Sequence, residues 1–253
     1  MNPTYTSSEQ MIAVAARALR DGERAFVGIG QPNLAAMLAK KLHAPGLVMV
    51  YESGAVGAEP ARLPFSIGDP CLVTGVASLQ SMMDIFGLFL QGGLVDTGLL
   101  GTAQVDRYGN LNSTVIGDYR TPKVRLTGSG GACDIVTLAS RVIVITPHEK
   151  QRFPERVDFI TTPGFLSGHG ERARLGIPGG GPQLVITDVG VLEPDDSGEL
   201  ALTAVHEGKA AEQAVSNTGW PLKVAPTLKR TEPPTDEELR IMRELDPGGV
   251  YLR

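Results

Sequence analysis

The sequence predicts an α/β fold, an open, mostly parallel sheet flanked by helices. Three observations carry this expectation. Residues 7–51 follow the order helix, strand, glycine turn, helix, strand, the pattern of a parallel sheet with crossover helices. Leu47 to Tyr51 is almost entirely apolar, as a strand covered on both faces requires. Short apolar runs of strand length recur at Val142 to Ile145, Val157 to Ile160 and Leu184 to Ile186.

The elements follow in order. Ser7 and Gln10 have capping-box spacing, and Met11, Ile12, Val14, Ala15, Ala18 and Leu19 form an apolar stripe behind them. A helix is therefore expected up to Gly22. A strand over Ala25 to Val27 runs into the turn Gly28-Ile29-Gly30, and Pro32 opens a second helix through Leu42. After the strand Leu47 to Tyr51 comes a Gly- and Pro-rich loop from Ser53 to about Asp69. A helix is expected over Leu79 to Leu90, stopped by Gly92-Gly93, then a strand over Leu94 to Val105. Tyr108-Gly109-Asn110 is a turn before Leu111 to Val115. The cluster Gly128-Ser129-Gly130-Gly131 precedes a helix through Ala139. A hairpin is expected at Asp195 to Gly198, and helices over Val205 to Ser216 and Asp236 to Leu245. No repeat or domain boundary is visible. Residues 1–253 read as one domain, with 231–253 as a Pro-containing linker and terminal helix.

Composition narrows the function. Hydrophobic residues make up 42% and charged residues 20%, ordinary for a soluble enzyme. The net charge of -5 argues against a nucleic-acid surface. Cys71 and Cys133 are too few for a disulfide framework, which fits a reducing cytoplasm. Four scattered histidines, without HxxxH or CxxC spacing, point away from a metal site. No apolar run approaches the ~18 residues of a membrane helix, and no leader pattern opens the chain.

Ligands bind open parallel sheets at the carboxyl ends of their strands. Glu52 sits there, directly after Leu47 to Tyr51; by position it is either a functional carboxylate or the first solvated residue. Gly28-Ile29-Gly30 occupies an equivalent place. It resembles half of a dinucleotide fingerprint but lacks the third glycine, and the plain reading is a tight turn. Gly128 to Gly131 fits backbone N–H groups aimed at an anion, or a loop passing close to another backbone. Cys133 beside that cluster fits a small buried thiol better than a nucleophile. His148-Glu149-Lys150 reads as a strand end at the surface. No GxxxxGK[ST] or GxSxG is present, which argues against a phosphate-binding loop and a serine elbow.

Several segments together resemble the class I coenzyme A transferases, in particular the β subunits of the glutaconate and 3-oxoadipate types. They are Val50-Tyr51-Glu52-Ser53-Gly54, Ser66-Ile67-Gly68-Asp69, Ala103 to Thr114, Ile116-Gly117-Asp118-Tyr119, Thr127 to Ala132, Asp158 to Thr161 and Gly181 to Asp188. The resemblance spans nearly the whole chain. It implies Glu52 as the nucleophile of a ping-pong transfer of coenzyme A (CoA) from an acyl-CoA to a carboxylic or dicarboxylic acid, through a glutamyl-CoA thioester. It implies CoA as a substrate, with no tightly bound cofactor. It also implies an α subunit as partner, in a hetero-oligomer of two or more of each chain, with the active site at their interface. Gly28, Gly30, Gly128, Gly130 and Gly131 would shape the thioester site. The competing expectations are an acyl-CoA or ring-cleaving hydrolase on the same fold, and a non-catalytic CoA-binding subunit. A carboxylate nucleophile is ionised at neutral pH and needs no general base, which agrees with the missing Ser/His/Asp set.

Overall fold

A computed structural model of the chain describes residues 5–253. They form two compact units. The first runs to Gly101 and takes in Glu232–Arg253; the second is Thr102–Thr231.

The first unit opens with α1 (Ser7–Arg17). Its cap lies one residue upstream of the expected position. The Thr6 hydroxyl accepts the Glu9 N–H at 3.1 Å, and the Glu9 carboxylate accepts the Thr6 N–H at 2.7 Å. An acidic side chain in the first turn also complements the helix dipole, which the amide of Gln10 cannot do. The helix ends at Arg17, and Gly22, at φ 77°, belongs to the turn beyond it. Next come β1 (Arg24–Val27), α2 (Gln31–Leu42) and β2 (Val48–Val50). β1 and β2 pair in parallel, Phe26 opposite Val50. The span from Ser53 is not all loop: β3 (Ala55–Val56) folds straight back on β2, and β4 (Ser78–Leu79) pairs antiparallel with β3. Leu79 is thus in a ladder, and the expected helix begins later. It is α3 (Met82–Asp84), capped by Ser81, and it runs on as a π-helical turn over Ile85–Leu90. β5 (Thr97–Gly101) pairs parallel with β1, giving the strand order β5-β1-β2-β3-β4. Leu94 to Asp96 stay outside the strand; the Asp96 carboxylate accepts the Arg24 N–H at 2.8 Å and pairs with its guanidinium. α2 lies on β1 and β5, closing a core that includes Phe26, Leu34, Leu38 and Met49.

The second unit starts with the hairpin β6 (Gln104–Val105) and β7 (Leu111–Asn112). Its turn is the expected one. The Asp106 carboxylate accepts the N–H groups of Tyr108 and Asn110, both at 3.0 Å. β8 (Val115–Gly117) and β9 (Pro122–Arg125) form a second hairpin, and α4 (Ala132–Leu138) follows the glycine cluster. β10 (Arg141–Ile145) pairs parallel with β11 (Pro182–Ile186), and the short α5 (Glu171–Arg174) lies between them in sequence. β12 (Gly190–Pro194) and β13 (Leu200–His206) add antiparallel, joined by the expected turn at Asp195 to Gly198. α6 (Ala211–Ser216) and β14 (Lys223–Thr231) complete the unit. The chain then returns to the first unit as α7 (Asp236–Leu245), tied to α1 by the ion pairs Arg17–Glu238 and Arg243–Glu9. The fold is the expected mostly parallel α/β arrangement: β1, β2, β5, β10, β11 and the β13–β14 pair carry parallel ladders, and β3, β4 and β12 add antiparallel pairings.

Two expectations fail here, and one strand goes unforeseen. Val157 to Ile160 is no strand: Phe159 and Ile160 are exposed, and side chains take its backbone donors. The Val157 N–H reaches Asp106 and the Asp158 N–H reaches Gln104. Val205 and His206 complete β13 rather than start a helix, because their ladder with Arg230 and Thr231 wins. β14 was not foreseen at all. Its exposed Lys223, Lys229 and Arg230, and Pro226 with no N–H to give, hide it from any alternation test and suit it to a sheet edge.

Candidate active site

β1 and β2 run in the same direction, so their carboxyl ends share one edge. Gly28–Gly30 leaves one end and Glu52 the other. Glu52 stands at the tip of a tight turn between β2 and β3. The Gly54 N–H donates to Tyr51 O at 3.0 Å, and the Tyr51 N–H donates to Ala55 O at 2.9 Å.

Two anchors hold this turn. Tyr51 is fully buried, and its hydroxyl donates to Asn33 Oδ1 in the first turn of α2 at 2.5 Å. Burial pushes the phenol well above its ordinary value, so it remains a protonated donor. Gly54 has φ 108°, and its carbonyl accepts the Gln80 N–H at 2.9 Å. A Cβ at this position would lie 2.0 Å from Gln80 O, so only glycine fits. Between the anchors Glu52 is half-buried. Among the described residues no hydrogen bond or ion pair engages its carboxylate. Donors would draw charge from the oxygens, and without them the lone pairs stay available for attack.

The glycines divide by what their N–H groups already do. Gly28 donates to Leu99 O at 2.9 Å, and a Cβ there would sit 3.1 Å from the same carbonyl. It is a packing glycine whose donor is spent. Gly30, at φ 96°, caps α2 without a side-chain bond, and its N–H has no acceptor among the described residues. In the second unit Gly128 is clasped from both sides: its N–H donates to Ser113 O, and its carbonyl accepts the Ser113 hydroxyl, both at 2.8 Å. The Gly130 and Gly131 N–H groups have no acceptor among the described residues. Thr161 Oγ1 accepts the Ser113 N–H at 2.9 Å and so steadies the clasp.

The remaining candidates are structural. Burial and the neighbouring Asp134 push the Cys133 thiol up, away from thiolate. His148 is not at the surface as expected; it is 3% exposed, stacked on Phe153 and hydrogen-bonded to Thr187 and Thr218. Burial lowers it to about 4, which keeps it neutral. Sequence reasoning missed Asn33 and Gln80 as supports of the Glu52 turn. An asparagine in the first turn of a helix with no capping side chain was the available signal for Asn33. Among the described residues no group of His, Cys, Asp and Glu is placed to hold a metal ion, and no helix is long and apolar enough to cross a membrane.

The family profile of coenzyme A transferase matches residues 9–217. The chain belongs to that family. Within the coenzyme A transferases it has the extent of a β subunit. It is 45% identical to the β subunit of the 3-oxoadipate CoA-transferase of Pseudomonas knackmussii, over 96% of this chain and 94% of the relative. It is 37% identical to the β subunit of the glutaconate CoA-transferase of Acidaminococcus fermentans, over 98% and 96%. The crystal structure of that glutaconate coenzyme A-transferase superposes with a TM-score of 0.93, covering 99% of this chain and 98% of the other.

Proposed function

We propose that this coenzyme A transferase chain, assembled with an α subunit, moves CoA from an acyl-CoA to a short dicarboxylic acid, with Glu52 as the covalent carrier. The observation that carries the proposal is the unengaged Glu52 carboxylate, fixed at the tip of a tight turn on the carboxyl edge of parallel strands. The relatives' names, 3-oxoadipate and glutaconate, supply the acid class.

The steps balance without ATP. A Glu52 carboxylate oxygen attacks the acyl-CoA carbonyl, and CoA leaves as thiolate, giving an acyl-glutamyl anhydride. The thiolate attacks the glutamyl carbonyl, releasing the first acid as carboxylate and leaving a glutamyl-CoA thioester. A second carboxylate then runs both steps in reverse. Each attack places a negative charge on a carbonyl oxygen. The free N–H group of Gly30, which shares the carboxyl edge with Glu52, suits this charge, and such a donor is worth roughly 10²–10³ in rate. Gly28, with its donor spent, serves by shape. CoA enters and leaves as substrate.

The test is chemical. The α/β complex incubated with acyl-CoA alone should carry CoA on Glu52. Borohydride should reduce that thioester and abolish activity, and Glu52→Gln should not be labelled. Peptide mapping that placed the label on Cys133 instead would overturn the proposal.

A further inference from the structure

On the second unit three planar groups stand together in solvent. Tyr119, in the β8–β9 turn, and Phe159 stack with ring centroids 5.3 Å apart and planes 23° apart. The Arg125 guanidinium carbon lies 4.9 Å from the Tyr119 centroid, and this arginine also donates to Tyr119 O at 3.0 Å. Tyr119 is 54% exposed and Phe159 37%. Aromatic rings normally leave water, and these remain in it although they are held in place. The Gly117 N–H donates to Asp158 Oδ2 at 2.9 Å, which fixes the Phe159 segment against the hairpin.

The charge here runs against the rest of the chain. Residues 115–125 carry Arg120, Lys123 and Arg125 against Asp118 alone, while the whole protein is at -5. All three cations are exposed, and among the described residues none forms an ion pair. Asp118 is occupied within its own turn by the N–H groups of Arg120 and Thr121. The hairpin is also coupled to the glycine loop. β9 ends three residues before Gly128, the Leu126 N–H donates to Thr114 O at 3.0 Å, and Ser113, just ahead of β8, clasps Gly128.

We infer that this hairpin is a platform for the nucleotide end of CoA, with the adenine stacking on the Tyr119–Phe159 pair and the phosphates meeting Arg120, Lys123 and Arg125. The inference rests on the CoA-transfer reading above. Stacked rings beside unpaired cations match a flat purine joined to a 3′-phosphate and a 5′-diphosphate. Neither the acid substrate nor the pantetheine arm combines a π-face with so much negative charge.

Calorimetric titration of the α/β complex with CoA and with pantetheine, which lacks the nucleotide, tests it. Tyr119→Ala should weaken CoA about tenfold or more, the loss of one base–aromatic stack. Tyr119→Phe should restore the affinity. Arg120→Ala with Lys123→Ala should weaken CoA and flatten the salt dependence of its binding. None of these changes should alter the affinity for pantetheine, which a general structural defect would lower as well. If the variants bind CoA as the unsubstituted complex does, the inference is wrong. It is equally wrong if Tyr119→Ala releases the α subunit on gel filtration, which would make the hairpin a subunit contact. Failure of the unsubstituted complex to bind CoA at all would instead reject the transferase reading beneath it.

Discussion

Gly54→Ala isolates the contribution of the turn to catalysis. A Cβ at residue 54 would lie 2.0 Å from Gln80 O, and Cβ atoms essentially never come within 3.0 Å of another heavy atom. The turn must therefore open by about 1 Å, and the obstacle is a backbone carbonyl that cannot swing aside. Alanine at φ 108° adds backbone strain of about 1–3 kcal/mol. Glu52, two residues away, moves with the turn. A misplacement of that size costs ~10²-fold in a reaction governed by near-attack geometry. Gly22→Ala is the control: φ is 77° there, but nothing lies within 4 Å of the added carbon. It should cost stability of the same order and leave turnover per folded complex intact. The assay is steady-state acyl transfer by the reconstituted α/β pair, normalised to folded protein by thermal melting. If Gly54→Ala kept transfer within about threefold of the parent, the claim that this turn positions Glu52 would have to be given up.

Tyr51→Phe leaves Asn33 Oδ1 buried without its donor, so the complex should lose about 1–3 kcal/mol in urea unfolding; an unchanged midpoint would contradict the anchor role. Arg172 is a buried guanidinium bonded, among the described residues, to the carbonyls of Val136, Pro163, Gly164 and Gly179 alone, and burial pushes it down to about 10. Arg172→Lys cannot reproduce that fork and should cost about 2–4 kcal/mol by the same measurement. His148 takes its proton near pH 6.5 in the unfolded chain but only near 4 in the native one, so stability is complete above pH 6.5 and falls as pH drops toward 4. The loss from this residue totals about 3 kcal/mol at ~1.4 kcal/mol per pH unit, and buried His206 adds in the same direction. His148→Gln should flatten the slope of unfolding free energy between pH 7 and pH 5, and parallel slopes would refute the assignment.

The parts of the fold that were legible in the sequence are those whose burial repeats along the chain. β1, α2, β2, β10 and β11 fall where apolar runs and glycine turns place them, and Glu52 is at the strand end that its position suggested. What stayed hidden depends on partners distant in sequence. β3 is two residues long, and only its pairing with Val50 on one side and with β4 on the other makes it a strand. The Glu52 turn therefore looked like the start of a long loop. His148, between a strand and two charged residues, resembled a surface position because its stacking on Phe153 leaves no local trace. The glycines were correctly singled out as unusual. Their division into spent and free donors depends on Leu99 and Ser113, which no spacing within the glycine motifs reveals.

The placement of Glu52 at the tip of a hairpin turn also bears on how this protein can change. Its side chain closes no ladder, fills no core position and satisfies no neighbour among the described residues, while Tyr51 and Gly54 on either side do the structural work. Replacing the glutamate should therefore leave the scaffold at nearly its full stability, whatever it does to the proposed transfer. On the proposed reading, the architecture and the chemistry are then set by different residues, and a change at position 52 alone could alter the reaction without passing through an unfolded state.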